Sequence, residues 1–197
     1  MPRLFVGLEI PPDIAFALSL KRGGLPGARW IDQEKYHITL RFIGDVDDRT
    51  AYDVVDELYH VDRPPFEIAL GALDMFASRK PHSLFASVLP SMPLMALQSE
   101  IERGMRRIGL EPESRKFTPH VTIARLKGTS FEEAARYLSE RGEYFTRPFR
   151  VNGFVLLSSR SAIGGGQYLV EERFDLYSDD IYDDVCQDDV VSFSRSA

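Results

Sequence analysis

The sequence contains few cysteines and no long apolar run, and each scarcity excludes a class of protein. Cys186 is the single cysteine among 197 residues, which excludes a disulfide framework and a cysteine-based zinc site. The apolar run of residues 4–10 includes Glu9 and stops at two prolines. It is therefore too short for a membrane span and unsuited to a signal peptide. We expect a cytoplasmic protein.

The sequence also lacks an excess of positive charge. The formal net charge is −6, and six aspartates with one arginine give residues 178–197 a charge of −5, so the other 177 residues carry −1. Such a near-neutral body lacks the broad basic face with which proteins bind long nucleic-acid duplexes. The acidic segment has little periodicity and is predicted to be a disordered tail. Residues 1–177 are predicted to form a single two-lobed domain.

One short motif occurs twice. Residues 37–44 read HITLRFIG and residues 120–125 read HVTIAR, so a His-x-Thr recurs 83 residues apart. Alternate residues of a strand share a face, which places each histidine and threonine on a polar face opposite an apolar one. A single such motif is ordinary. Two copies in a chain with four histidines predict two similar halves whose histidines face each other as a general acid and a general base.

The sequence resembles the 2H phosphoesterases, and among them the RNA 2′,3′-cyclic phosphodiesterases first described as 2′-5′ RNA ligases. The resemblance covers residues 1–177 and rests on residues 3–8, residues 29–31, both motifs and the segment 168–176. It implies hydrolysis of RNA 2′,3′-cyclic phosphate ends to 2′-phosphate, with neither metal nor cofactor. It further implies that His37 protonates the leaving 3′-oxygen and that His120 activates water. The residues alone permit the opposite assignment of acid and base.

The remaining candidate residues are expected to contact the substrate. The hydroxyls of Thr39 and Thr122 can donate hydrogen bonds to the phosphoryl oxygens. Strand parity places Arg41 on the face of the first histidine, which predicts a contact with substrate or the RNA backbone. For Arg125 the resemblance favours a role in binding, whereas parity points it away from the cleft unless the strand bulges or ends near Ala124.

An α+β fold is predicted, with two pseudo-symmetric lobes whose antiparallel sheets face a central cleft and whose helices lie outside. The order strand, helix, motif strand, helix recurs in both halves. A glycine-rich turn is expected at residues 164–166, before a last strand. The predicted helices cover residues 11–22, 48–60, 92–108 and 130–140; the other strands cover residues 3–10, 66–70, 84–88, 149–157 and 168–176.

Three alternatives remain open at the level of sequence. A noncatalytic RNA-end binding module would leave the second histidine unexplained, and 2′-5′ ligation would use the same residues in reverse. A metal-dependent hydrolase would need ligand spacing that is absent near the two histidines. His60 and His82 have no recognisable partner, and Trp30 is assigned to packing rather than to base stacking. The expected protein is a monomer.

Overall fold

The computed structural model of the protein describes residues 3–77, 80–159 and 168–177, which form four helices and ten strands. The helices are α1 (Pro12–Ser19), α2 (Asp48–Tyr59), α3 (Met92–Arg107) and α4 (Phe131–Arg141). The strands are β1 (Arg3–Glu9), β2 (Ala28–Trp30), β3 (His37–Asp45), β4 (Phe66–Ile68), β5 (Leu70–Ala77), β6 (Pro81–Val88), β7 (His120–Leu126), β8 (Phe149–Val151), β9 (Gly153–Ser159) and β10 (Tyr168–Asp175). The predicted α+β fold is confirmed.

Side-chain caps fix where the helices begin. The Asp47 carboxylate accepts a hydrogen bond of 2.8 Å from the backbone N–H of Thr50 at the start of α2. Ser130 and Glu133 exchange hydrogen bonds of 3.1 and 2.8 Å in a capping box at the start of α4. The predicted helix starts at residues 48 and 130 agree with the observed starts at Asp48 and Phe131. Helix α1 ends at Ser19, earlier than expected, because the next residues form turns whose hydrogen bonds reach back only three residues.

The eight strands of the main sheet follow the order β10-β9-β1-β3-β7-β6-β5, with β2 paired to β7. All of these pairs are antiparallel. The two motif strands, β3 and β7, are joined by one residue pair, Ile38 with Val121. The junction thus divides the sheet into two antiparallel halves, with β10, β9, β1 and β3 on one side and β7, β6, β5 and β2 on the other.

Two strands that the sequence predicts as continuous are interrupted. The first breaks at Ala69, between β4 and β5, and the second at Asn152, between β8 and β9. The reason is a change of partner: β4 and β8 pair with each other in a separate two-stranded sheet, while β5 and β9 join the main sheet. An alternating pattern shows that a segment is extended, but it does not identify its partner strand.

The main core lies between the sheet and the helices. Ile38 and Val121 are fully buried there and belong to the same apolar cluster as Leu58 of α2 and Ile101 of α3. The opposite face of the motif strands is left open, and it carries the histidines and threonines of both motifs. Burial of one face of an alternating strand thus orients the chemical groups on the other.

Several sequence-based predictions are not tested by these residues. The glycine turn at residues 164–166 and the acidic tail at residues 178–197, with Cys186, lie outside the described residues. The division into a domain of residues 1–177 and a tail therefore stays a prediction, as do the monomeric state and the cytoplasmic location. No helix in the described part of the chain combines the length and apolar character needed to cross a membrane.

Candidate active site

A cleft of about 990 Å³ opens on the face of the motif strands away from the core. Its floor includes both histidines and both threonines of the repeated motif. Among the described residues, six cationic side chains and one carboxylate, that of Glu113, also line it; the cations are Arg3, Lys35, Arg41, Arg115, Lys116 and Arg125. Arg3, Lys35 and Arg41 form ion pairs with carboxylates, whereas Arg115, Lys116 and Arg125 form none among the described residues. These three cations suit the cleft to an anionic ligand.

Both motif histidines are held in the same way. His37 Nδ1 lies 2.8 Å from the Lys35 carbonyl oxygen, and His120 Nδ1 lies 2.7 Å from the Thr118 carbonyl oxygen. A carbonyl only accepts, so Nδ1 carries the hydrogen in each ring. Nε2 is then the atom of each imidazole that can take up or release a proton. The two motifs thus present two rings with the same orientation and the same tautomer.

The two histidines are diagonal neighbours across the junction of the sheets. His37 and His120 each precede a member of the Ile38–Val121 pair, and the two strands run antiparallel. In a regular antiparallel ladder such diagonal positions lie about 7–8 Å apart. That spacing leaves room for one phosphoryl group between the rings, as a reaction with one acid and one base requires.

The environment lowers the pKa of both histidines below the usual value of about 6.5. For His37 burial is the main cause, the hydrogen bond to the Lys35 carbonyl opposes it, and the positive charges of His120 and Arg125 lower the pKa further. For His120 burial again dominates, with the Thr118 carbonyl opposing it and Arg125 adding to the decrease. Both rings therefore favour the neutral form in the free protein.

Aromatic rings cause this burial on both sides of the cleft. The rings of Phe5 and Tyr168 lie 5.0 and 5.1 Å from the ring of His37. On the other side Phe76 and Phe85 lie 4.8 and 5.2 Å from the ring of His120. Phe5 both lines the cleft and packs in a small apolar cluster with Val155 and Leu157.

A β-bulge follows the threonine in each motif strand. In β3, Thr39 pairs with Gly7 and Arg41 with Val6, so Leu40 has no partner on β1. In β7 the same shift leaves Ile123 without a partner on β6. One extra residue reverses the faces of the residues that follow it, in β3 as far as a second shift between Phe42 and Gly44. The bulges therefore decide which side chains beyond each threonine reach the cleft.

The first bulge overturns the parity argument for Arg41. Arg41 is 7% exposed at the margin of the cleft, and its guanidinium turns onto protein acceptors. Its Nε lies 2.7 Å from a Glu102 carboxylate oxygen, as an ion pair without hydrogen-bond alignment, and it donates to the backbone carbonyls of Phe42 and Glu111. Because Leu40 is inserted between the two paired positions, strand parity no longer favours a substrate contact by Arg41, and its role in binding stays a prediction.

The second bulge places Arg125 at the cleft. Arg125 lies exposed among the residues that line the cleft, where its charge acts on both histidines. In the part of the chain that the structure describes it forms no ion pair. From the sequence, Arg125 could reach the cleft only if the strand bulged or ended near Ala124. The bulge at Ile123 meets this condition.

The bulges also reveal a sequence asymmetry between the halves. Counting from each histidine, the fifth following residue faces the cleft: this residue is Phe42 in one half and Arg125 in the other. Their partners on the neighbouring strands are Phe5 and Ser83. Equivalent positions of the two halves thus carry an aromatic pair on one side and a cation with a hydroxyl on the other.

The two threonines line the cleft beside their histidines, as predicted. Thr39 and Thr122 are half-buried, and neither hydroxyl has a hydrogen-bond partner among residues 3–77, 80–159 and 168–177. A hydroxyl without an internal partner can donate to a ligand. Their contact with the phosphoryl oxygens of a substrate stays a prediction.

Sequence reasoning missed part of the cleft wall. His82 was expected to have no partner, but it lies at the cleft and stacks on Phe76, with ring centroids 6.0 Å apart. His60, in contrast, only bonds back to the Asp56 carbonyl at the end of its helix. Trp30 packs against Tyr137 in the core, at 5.9 Å, and does not line the cleft. Phe42 and Arg125 each lie five residues after a motif histidine, and this shared offset is the sequence signal that could have identified both as cleft residues.

Metal binding has no obvious location in the described residues. Among them no group of three or more His, Cys, Asp or Glu side chains is arranged to hold a metal ion. The independence from metal that the sequence predicts stays a prediction for experiment.

The sequence of the chain matches known proteins over most of its length. The family model of the 2′-5′ RNA ligase superfamily matches residues 20–162. An RNA 2′,3′-cyclic phosphodiesterase of Aeropyrum pernix is 32% identical over 144 residues, which cover 72% of this chain and 81% of the relative. One of Aquifex aeolicus is 31% identical over 187 residues, covering 87% and 96%.

Solved structures share the fold. Escherichia coli LigT complexed with 3′-AMP matches with a TM-score of 0.75 at 20% identity, covering 90% of this chain and 100% of the other. TT0787 of Thermus thermophilus matches with a TM-score of 0.74 at 23% identity, covering 88% and 97%. Identities this low establish the architecture alone.

Proposed function

The chain belongs to the 2′-5′ RNA ligase superfamily, and on that premise we propose that it hydrolyses 2′,3′-cyclic phosphate ends of RNA. We assign His37 as the general acid and His120 as the general base, in a mechanism that uses no metal ion. The relatives named RNA 2′,3′-cyclic phosphodiesterase support the substrate class. The residues of the cleft support the mechanism.

One observation carries the proposal: two histidines of the same tautomer lie diagonally across one cleft, each anchored through Nδ1 to a backbone carbonyl. In-line displacement at phosphorus needs an acid and a base on opposite sides of the phosphoryl group. A binding module would need a cation but no second, identically anchored imidazole.

The reaction balances with these two groups. His120 Nε2 takes a proton from water, whose oxygen forms a bond to phosphorus. The bond from phosphorus to the 3′-oxygen breaks, and His37 Nε2–H gives its proton to that oxygen. The product is a 2′-phosphate, and the two rings have exchanged protonation states. Thr39, Thr122 and Arg125 stabilise the negative charge of the phosphoryl oxygens.

The asymmetry of the two halves supports an orientation of the substrate. Phe42 is 54% exposed beside the first histidine and offers a ring face on which a base can stack. Arg125 and Ser83, at the equivalent positions of the other half, suit the phosphate. We place the terminal base toward Phe42 and the phosphate toward Arg125.

Phosphorus NMR tests the activity and its polarity together. We expect the protein, in the presence of EDTA, to convert a nucleoside 2′,3′-cyclic phosphate into the 2′-phosphate. A 3′-phosphate product would exchange the roles of the two histidines. No turnover until a metal is supplied would refute the metal-independent mechanism.

Replacing either histidine tests the acid–base pair. His37→Ala and His120→Ala should each lower kcat about 10²–10⁴-fold, since each removes one proton-transfer group. The fold should persist, because both rings lie on the cleft face rather than in the main core. Thr39→Ala and Thr122→Ala should cost less, as each removes a single donor. A loss below about tenfold for either histidine would favour the binding-module alternative.

A further inference from the structure

The loop between α3 and β7, residues 108–119, forms one wall of the cleft, and the proposed reaction does not account for it. Residues 113–118 of this loop line the cleft. It carries two exposed cations, Arg115 and Lys116, that make no ion pair with any residue the structure describes. They stand apart from the motif strands that hold the reacting groups.

The loop is fixed by the buried guanidinium of Arg41. Besides its ion pair with Glu102, Arg41 donates to the Glu111 carbonyl and lies 4.0 Å from the Glu113 carboxylate. The other oxygen of Glu102 accepts from the backbone N–H of Glu113 at 3.1 Å, and Glu113 accepts from that of Arg115 at 3.1 Å. A chain of charged contacts thus links a motif strand to the backbone that carries the two cations.

The cleft is larger than the reacting nucleotide needs. Its volume of about 990 Å³ lies at the upper end of the range of roughly 300–1,000 Å³ for sites that enclose one small ligand. The two histidines and Arg125 occupy the region of the cyclic phosphate. The two loop cations therefore supply positive charge in addition to that at the reacting group.

We propose that this loop binds the phosphodiester backbone of the nucleotides that precede the cyclic phosphate, so that the preferred substrate is a single-stranded RNA oligonucleotide rather than a mononucleotide. Arg115 and Lys116 contact the backbone phosphates, and Arg41 is a positioning residue that holds the loop. The inference rests on the proposed function. Two cations on a near-neutral body suit a short single strand, whereas a long duplex requires a broad basic face.

Substrate length tests the proposal. The ratio of kcat/KM for a trinucleotide 2′,3′-cyclic phosphate to that for adenosine 2′,3′-cyclic phosphate is measured for the wild type and for Arg115→Ala/Lys116→Ala. The wild type should favour the trinucleotide, and the double variant should lower the ratio about tenfold, because two charge-assisted contacts are lost. For the trinucleotide, the slope of log kcat/KM against log salt should become shallower by about 1.4, at about 0.7 per phosphate contact.

Arg103→Ala/Arg106→Ala is the matched control. Both arginines are exposed on α3, lie outside the cleft and form no ion pair among the described residues. This variant removes the same charge and should keep the wild-type ratio. The proposal is overturned if Arg115→Ala/Lys116→Ala keeps the wild-type ratio of kcat/KM values. It is also overturned if the control variant lowers this ratio as much as the loop variant does.

A binding measurement separates this inference from the proposed reaction. Fluorescence anisotropy with a labelled trinucleotide ending in 3′-phosphate needs no turnover. The loop variant should bind it about tenfold more weakly than the control variant does. Equal affinity of the two variants refutes the loop site, even if the cyclic phosphodiesterase activity is absent. A weaker loop variant supports the site in that case as well.

Discussion

At the residue scale, the residue inserted after each motif threonine decides which arginine side chain lies exposed at the cleft. Both arginines follow a His-x-Thr closely, and alternation alone favours Arg41. The bulges at Leu40 and Ile123 reverse this choice, because each shifts the following side chains to the opposite face. Arg125 therefore stands beside two neutral histidines, whereas Arg41 is buried against carboxylates.

The lowered pKa values of the histidines predict an acidic optimum. The proposed mechanism requires one ring protonated and the other neutral, a form whose population peaks between the two pKa values. Both lie below about 6.5, so kcat/KM should be greatest below pH 6.5. A bound phosphate anion raises both pKa values, which should move the kcat optimum to higher pH. A kcat/KM maximum above pH 7 would contradict this environment for the rings.

The same shifts predict the pH dependence of stability. A histidine whose pKa is lower in the folded state binds fewer protons there than in the unfolded chain. The free energy of unfolding should therefore fall as the pH drops below about 6.5, the unfolded value. Between pH 7 and pH 5, the free energy of unfolding of the double variant His37→Gln/His120→Gln, measured by urea denaturation, should decrease less than that of the wild type. Identical decreases in the two proteins would show that other groups cause the effect.

Removing the charge of Arg125 should move the pH profile. Arg125→Ala eliminates a positive charge that lowers the pKa of both His37 and His120. Both limbs of the kcat/KM profile should shift to higher pH, while the maximum falls because a phosphate contact is lost. Arg125→Lys retains the charge and should keep the limbs near their wild-type positions. Unshifted limbs in the alanine variant would mean that Arg125 is too distant to act on the rings.

At the element scale, a buried ion pair couples the first motif strand to a helix. Arg41 of β3 meets Glu102 of α3 under the sheet, and their side chains are 7% and 19% exposed. Leaving one charge buried without its partner is costly, whereas replacing both by apolar groups is often neutral. Replacing Arg41 alone should therefore lower the free energy of unfolding much more than replacing Arg41 and Glu102 together.

We expect Arg41→Met to lower the free energy of unfolding by about 3 kcal/mol, because Glu102 loses its buried partner. Arg41→Met/Glu102→Leu should recover most of the loss. Urea denaturation measures both, with Arg147→Met as the control. Arg147 forms an ion pair with Asp13 in which both side chains are mainly exposed, and its loss should cost less than about 1 kcal/mol. A single variant as mild as this control would show that the buried pair adds nothing.

At the scale of the whole molecule, two antiparallel halves of one sheet meet at one residue pair, and a cleft lies over the junction. The pseudo-symmetry lies in the backbone: both motif strands carry a histidine anchored to a carbonyl two residues earlier and a bulge after the threonine. The side chains break that symmetry. One half offers Phe5 and Phe42, and the other offers Ser83 and Arg125.

Removal of residues 178–197 should leave both the melting temperature and kcat/KM nearly unchanged. In the described part of the chain, Leu176 is the last buried residue, and its N–H donates to the Asn152 carbonyl at 2.8 Å, so the cut falls beyond the core. Calorimetry and the trinucleotide assay measure the effect. A second deletion, of residues 176–197, serves as the comparison. It also removes the buried Leu176, so only this longer deletion should be destabilising. A large loss of melting temperature with the shorter one would show that the acidic segment packs on the body.

The sequence by itself determined what depends on neighbouring residues. Alternation identified the motif strands, and local sequence patterns predicted the starts of α2 and α4 to within one residue. The duplicated His-x-Thr identified both catalytic candidates and supported the α+β fold. These features involve contacts within a few positions of the chain, so a local pattern is enough to predict them.

Only the tertiary structure decided which faces of the strands reach the cleft beyond the threonines. A bulge arises from pairing between distant segments, such as Thr39 with Gly7, and nothing in the motif itself marks the inserted residue. The partner of Arg41, likewise, lies on a helix far along the chain. Side-chain direction after an insertion depends on the partner strand, and the partner strand is chosen by the packing of the whole molecule.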